Sequence, residues 1–225
     1  ALNFLSHDMC SPMTSVLALI EGAKEENLQP EQALLLRDIQ GYIHQNLSYA
    51  ENFIQLAKLE NIQKMIIERC DVHSLIYNAV LQIYPSAKLR NITIHYPETN
   101  PELWILCDSR LVERAIVNIL DNAVKYSGEN TQIDVDTEVV NTSVEIKISD
   151  QGNGIPEADL HQLFDCFKQG SNASSGPRSG VGLGLRFVMA VCEKHQGTVT
   201  VKNNGGLNDG SGALFTISLP LDTSQ

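Results

Sequence analysis

Long apolar runs are missing from this chain of 225 residues: the longest are a handful of residues, far below the ~18 that suggest a membrane span. No signal peptide is visible, and no membrane contact is expected within these residues. Clustered Lys and Arg are missing too. With 16 basic against 27 acidic residues the net charge is −11, which excludes broad nucleic-acid binding because phosphate neutralisation needs concentrated cations. The five cysteines, Cys10, Cys70, Cys107, Cys166 and Cys192, form no CxxC pair and stand near no His at zinc-ligand spacing. They are expected to be small core residues in a reducing compartment. No internal repeat is present.

What is there suffices for one good core plus a smaller helical unit, since 43% of the residues are hydrophobic. Residues 2–23 are expected to be a helix, with Leu5, Met9, Pro12, Val16, Ile20 and Ala23 in a stripe and His7 on the opposite side. Residues 27–29 make a short connection, and Pro30 suits the first turn of a long second helix with its own stripe of Leu36, Ile39, Ile43, Ala50, Ile54 and Ala57. Such a hairpin cannot cover its apolar face alone. A homodimer pairing two hairpins into a four-helix bundle would cover it.

Past Lys64 the period changes. A strand in MIIERCDV leads to a helix capped by Asp71 and running to about residue 89, then to strands in NITIHY and LWILC. Asp108 or Ser109 can cap the next helix. TQIDVDTEVV and TSVEIKISD predict a hairpin around Asn141, followed by a short helix over 157–164. A last helix over 181–195 precedes two closing strands, GTVTVKNN and ALFTISLP. The expected fold class is α+β: a helical hairpin over residues 1–64, then over 65–225 a two-layer sandwich with helices on one face of a mixed or antiparallel sheet.

One helix face carries the chemistry. In LVERAIVNILDNAVKYS, Asn118, Asn122 and Lys125 fall within about 60° at ~100° per residue. Val112, Ile116, Ile119, Leu120 and Ala123 gather opposite them. Asn is a poor helix former, so two of them one turn apart are unexpected on a merely solvated face. DQGNGIP then sets Asp150 before Gly152 and Gly154, and SGVGLGLRFV opens an apolar helix with Gly180, Gly182 and Gly184. With FLSHDMCSP at residues 4–12, these four ordered segments resemble the sensor histidine kinases, whose ATP-binding sandwich is shared with gyrase-type ATPases.

The resemblance implies Mg²⁺ and ATP as cofactors. Asn118 and Asn122 offer hard carbonyl oxygens suited to Mg²⁺, Asn122 foremost. Lys125 would reach phosphate, and Tyr126 either offers its ring to adenine or packs in the core. Asp150 matches the acid that accepts the adenine amino hydrogen bond, and Gly152 and Gly154 let backbone approach base and sugar. Residues 168–180 look like the lid over the phosphates, with Lys168 and Arg178 as its cations. Arg178 would bind the γ-phosphate or transition-state charge, unless it is a solvated loop residue. Gly180, Gly182 and Gly184 belong to the box whose backbone N–H groups and helix N-terminus would meet phosphate. Phe164 and Phe167 match an aromatic pair before the lid, as core or lid anchors.

For the acceptor, the resemblance implies phosphorylation of His7 oriented by Asp8, then transfer to an Asp of a response-regulator receiver domain docked near Met13, Thr14 and Leu17. A neutral imidazole nitrogen is a competent nucleophile near pH 7. Ser11 departs from the family's usual Thr or Asn, which positions the water that dephosphorylates the regulator. Val181 departs from a usual Thr. Kinase activity should survive the change at Ser11, with phosphatase activity toward the regulator the function it affects, and at Val181 one hydroxyl near phosphate is lost while the backbone donors remain. The alternatives are a gyrase-like or chaperone-like ATPase discharged by water, which leaves the His box unexplained, and a nucleotide-binding adaptor that signals without transfer. The expected location is the cytoplasm, with a tether to the inner membrane through a sensory region missing from this sequence.

Overall fold

A computed structural model describes residues 2–22, 29–62, 64–96, 102–164, 183–204 and 212–223, with the side chains of residues 2–10, 21 and 30 outside that description. Helices α1 (Leu2–Glu21) and α2 (Pro30–Glu60) pack together as a hairpin. The Gln29 N–H donates to Gln32 Oε1 at 3.0 Å, half of a capping box at the start of α2.

The apolar stripe of α2 has two fates. Leu36, Ile39 and Ile43 are half-buried, whereas Ala50 and Ile54 are buried within the single chain; the same helix also packs against α6 (Gly184–Lys194). The part of the stripe around Ile54 is therefore covered within this chain and not left for a second copy. Among the described residues, the large apolar side chains that stay exposed on the hairpin are Val16, Leu19, Leu34, Leu35, Tyr42 and Phe53.

Beyond the hairpin, β1 (Glu68–Asp71) pairs antiparallel with β3 (Trp104–Cys107) as a separate two-stranded sheet. Between them run α3 (Val72–Leu89) and β2 (Thr93–His95). Asp71 caps α3 as expected, its carboxylate accepting the Ser74 N–H at 2.9 Å. Asp108 does not cap α4 (Ser109–Tyr126) with its side chain. The Asp108 carboxylate instead accepts the Ile66 N–H at 3.1 Å, and the Asp108 N–H donates to His195 Nε2 at 3.0 Å. Since His195 Nδ1 lies 2.7 Å from the Val191 carbonyl, it must carry the proton there. The start of α4 is thus wired to the end of α6.

The main sheet has five strands in the order β2, β4 (Gln132–Val140), β5 (Ser143–Ser149), β7 (Ala213–Pro220), β6 (Thr198–Asn203). It is mixed: β2 and β4 are parallel and every other neighbour is antiparallel. The β4–β5 turn passes through Asn141 at φ 55°, a left-handed position Asn tolerates. Alternate residues of β5 and β7 are buried, so one face packs on α4 and α6 while the other carries Glu145, Lys147, Thr216 and Ser218. This two-layer arrangement is the expected sandwich. The single short helix after Asp150, α5 (Glu157–Leu160), is followed by a turn to Phe164, which packs against the core. Cys70, Cys107 and Cys192 are buried free thiols. No helix among the described residues is long and apolar enough to cross a membrane.

Candidate functional site

The amphipathic pattern of α4 decides what the rest of the site sees. Val112, Ala115, Ile116, Ile119, Leu120, Ala123 and Val124 are buried, which leaves Asn118 and Asn122 half-buried at the rim and Lys125 and Tyr126 exposed. Tyr126 is 49% exposed, so core packing is not its role. Lys125 Nζ pairs with Asp121 Oδ2 at 2.5 Å along the helix. From the hairpin, Tyr49 of α2 comes within range of Lys125 and Tyr126. Burial pushes its phenol pKa up while the Lys125 charge pulls the other way.

Gly184 opens α6 beside the asparagine face, with the Asn118 amide 3.8 Å from where a Cβ on Gly184 would stand. A helix N-terminus and a hard oxygen donor are thereby adjacent. Both asparagines offer amide oxygens on one face next to an anion-favouring helix end, a donor set that fits Mg²⁺ with phosphate and water as its remaining ligands. Among the described residues, no group of His, Cys, Asp and Glu side chains could hold a metal by itself.

By the C-terminal end of α4 stands Asp150, 5% exposed. Its Oδ1 accepts the Gly152 N–H at 2.8 Å and the Ala213 N–H at 3.1 Å. Burial pushes the Asp150 carboxyl above its usual range, against the opposing pull of those two donors. Gly152 bridges to Ser127 just past α4. A Cβ on Gly152 would lie 2.7 Å from the Tyr126 carbonyl oxygen and 2.9 Å from Asp150 Oδ1, so only glycine lets the acid loop meet the end of the asparagine helix. Gly154 takes φ 70°, and a Cβ there would stand 3.0 Å from Asn203 Oδ1.

Sequence reasoning missed three residues that hold this arrangement. Arg90, at the end of α3, donates through Nη1 to the Val124 and Lys125 carbonyls and through Nη2 to the Ser127 carbonyl, at 2.8 Å for the last. It satisfies the open carbonyls of the turn from which Lys125 and Tyr126 project. Asn203 and Asn204 bind the loop around Asp150. Two Asn closing a strand were a visible signal, since Asn disfavours strands. Nothing in the sequence marks Arg90.

The structure therefore brings Asn118, Asn122, Lys125, Tyr126, Asp150, Gly152, Gly154 and Gly184 to one face. Lys168, Arg178, Gly180 and Gly182 lie outside the described residues, as do Phe167 and the side chains of His7 and Asp8. Ser11 is exposed on α1, and its carbonyl accepts the Ser15 hydroxyl at 3.0 Å.

Residues 107–223 match the family described as Histidine kinase-, DNA gyrase B-, and HSP90-like ATPase. The chain is 29% identical over 229 residues to sensor protein KdpD of Escherichia coli (strain K12), covering 98% of this chain and 24% of that protein. It thus spans about a quarter of that relative's length. The mycobacterial sensor histidine kinase MprB is 30% identical over 68% of this chain and 98% of the solved chain, with a TM-score of 0.61. Histidine kinase ThkA, solved in complex with response regulator protein TrrA, shares the fold across 97% of this chain and 60% of its own, at a TM-score of 0.68 and 20% identity. An ATPase-family match over half the chain, joined to a sensor-kinase likeness spanning the whole of a solved domain, places this protein in the Histidine kinase-, DNA gyrase B-, and HSP90-like ATPase family, among its sensor histidine kinases.

Proposed function

We propose that this chain is the dimerisation and catalytic core of a cytoplasmic protein histidine kinase, dividing into an acceptor hairpin at 1–64 and an ATP-binding part at 65–225. The observation that carries it is that the second half of one helix, α4, is flanked by Gly184 at its start and by Gly152 at its close. From Asn118 beside Gly184 to Tyr126 beside Gly152 is eight residues, about 12 Å along the axis and comparable to the reach of an extended nucleotide. Phosphates would lie at the Asn118 end and adenine at the Asp150 end.

In this reading Asn122 and Asn118 hold Mg²⁺, which would screen the charge of the β- and γ-phosphates. Lys125 exchanges Asp121 for a phosphate oxygen, and Lys168 and Arg178 add positive charge from the lid. The Gly182 and Gly184 N–H groups meet phosphate at the head of α6. Asp150 accepts from the adenine amino group, which selects adenine over guanine. A neutral ring nitrogen of His7 attacks the γ-phosphorus, the bond to the bridging oxygen breaks, and ADP leaves. Asp8 accepts the hydrogen bond of the other ring nitrogen and steadies the cationic ring as the P–N bond forms. A receiver-domain Asp carboxylate then takes the phosphoryl group and restores His7. The complex of ThkA with TrrA supports a partner of that kind, and the exposed Val16, Leu19, Leu35 and Tyr42 support a second copy on the hairpin.

The test is incubation with γ-labelled ATP and Mg²⁺. Label should be retained by the parent, be lost in acid and persist in base, as a phosphoramidate is, and His7→Gln should carry none. Release of labelled phosphate with no protein-bound label would refute the reading in favour of hydrolysis by water.

A further inference from the structure

The strand segment GTVTVKNN ends in two asparagines whose side chains leave the sheet and grip the acid loop. Asn203 Nδ2 donates to the Ile155 carbonyl at 2.8 Å, and the Ile155 N–H donates to Asn203 Oδ1 at 2.8 Å. One planar amide thus pairs with both polar groups of one residue, as a neighbouring strand would, at a place where the loop has no strand beside it. Asn204 Nδ2 donates to Ser149 Oγ at 2.7 Å and to the Asp150 carbonyl at 3.2 Å. Its own N–H donates to the Gly212 carbonyl at 3.0 Å. Gly212, at φ 127°, passes so close that a Cβ would stand 2.1 Å from the Asp150 carbonyl oxygen.

We infer that Asn203 and Asn204 are positioning residues for adenine discrimination: they clamp the loop on both sides of Asp150 and so aim its second carboxylate oxygen. The inference rests on the nucleotide reading above. Asp150 Oδ1 is held by the backbone of Gly152 and Ala213, so the direction of Oδ2 follows the loop backbone. Asn204 fixes that backbone at the Asp150 carbonyl, bracing itself on the Ser149 hydroxyl, and Asn203 fixes it at 155. Loosening either anchor leaves the acid in place chemically but lets its oxygen wander relative to the base. Other side chains do not substitute. Asp at 203 keeps the acceptor for the Ile155 N–H but sets a carboxylate oxygen against the Ile155 carbonyl, and Ser is too short to span both groups.

The experiment titrates the full chain with Mg-ATP and with Mg-GTP, for the parent, Asn203→Asp and Asn204→Ala, with circular dichroism on each. Parent protein that binds neither nucleotide sinks the nucleotide reading itself, before any variant is compared. If the parent prefers ATP, Asn203→Asp should weaken ATP about tenfold, a loss of about 1.4 kcal/mol, while GTP changes little, so that the preference shrinks. Asn204→Ala should shift it the same way by a smaller factor. A support with no part in discrimination would weaken both nucleotides equally and leave their ratio fixed, and that result overturns the inference. Folded variants with the parent's affinities overturn it too, and so does unfolding of both variants, which would make the amides props of the fold.

Discussion

Replacing Asp150 by Asn should make this protein more stable and less able to hold adenine. The carboxylate is buried, and the Gly152 and Ala213 N–H groups on Oδ1 only partly offset the cost of keeping its charge there. Asn keeps an oxygen for those two donors and removes the charge. With a folded pKa above the unfolded value of about 3.9, protonation favours the fold. That contribution is complete below the unfolded pKa and lost as pH rises through the raised folded value. Above that window the parent carries a constant penalty that the variant lacks. Asp150→Asn should therefore unfold at higher urea than the parent at pH 7, with the gap closing toward pH 4. Binding moves the other way. Asn presents an amide donor where Oδ2 would accept from the adenine amino group, and loss of a hydrogen bond to a charged group costs about 1.5–3 kcal/mol, about a 10- to 150-fold rise in Kd for Mg-ATP. Isothermal titration and urea melts at two pH values measure both. An unchanged Kd, or a variant less stable than the parent at pH 7, would refute the argument.

Arg90→Ala strips three carbonyls at the end of α4 of their donor and should cost about 1–3 kcal/mol of stability, read as a lower urea midpoint with an unchanged slope. Arg90→Lys should recover only part of it, since an ammonium lacks the fork that serves both Nη contacts. Leu35, 60% exposed on the hairpin, is a better probe of dimerisation than Ile54: Leu35→Glu should turn a dimer into monomers in sedimentation, whereas a parent already monomeric at micromolar concentration removes the premise. Ser11→Thr should speed dephosphorylation of a phosphorylated response regulator by restricting χ1, and Ser11→Ala should slow it, both read against spontaneous hydrolysis of the regulator. Equal rates in all three proteins would place the hydrolytic water elsewhere.

Periodicity alone located the face of α4, because a wheel separates buried from exposed whatever the neighbours are, and buried Ile116, Ile119 and Leu120 fall where it puts them. It could not say what covers an apolar stripe. Ala50 and Ile54 belong to the same stripe as Ile43, yet they are buried within the single chain while Ile43 is only half-buried. Caps were legible where the partner is three residues away, as Asp71 to Ser74, and illegible where it is distant, as Asp108 to Ile66. The small β1–β3 sheet escaped notice for the same reason, since each strand reads well alone and only their pairing sets them apart from the main sheet. At the site, the resemblance named Asp150 and the glycines; Asn203 and Asn204 stood out locally as asparagines closing a strand, but their partners, like those of Arg90, lie far off in the chain, where no local pattern encodes them.

Helix α2, 31 residues in one piece, is about 46 Å long. Its last third joins the main core through Leu56 and Leu59, while the helix also packs on α1. Mechanically that makes it a lever with its fulcrum on α6. From Ala50 back to Pro30 the arm, which α1 accompanies, measures about 30 Å, so a tilt of about 10° at the fulcrum carries its far end about 5 Å, close to a whole helical turn. By the same ratio, a large displacement at the hairpin's far end would reach the packed end of α2 as a small one, beside the helix that begins at Gly184 near Asn118.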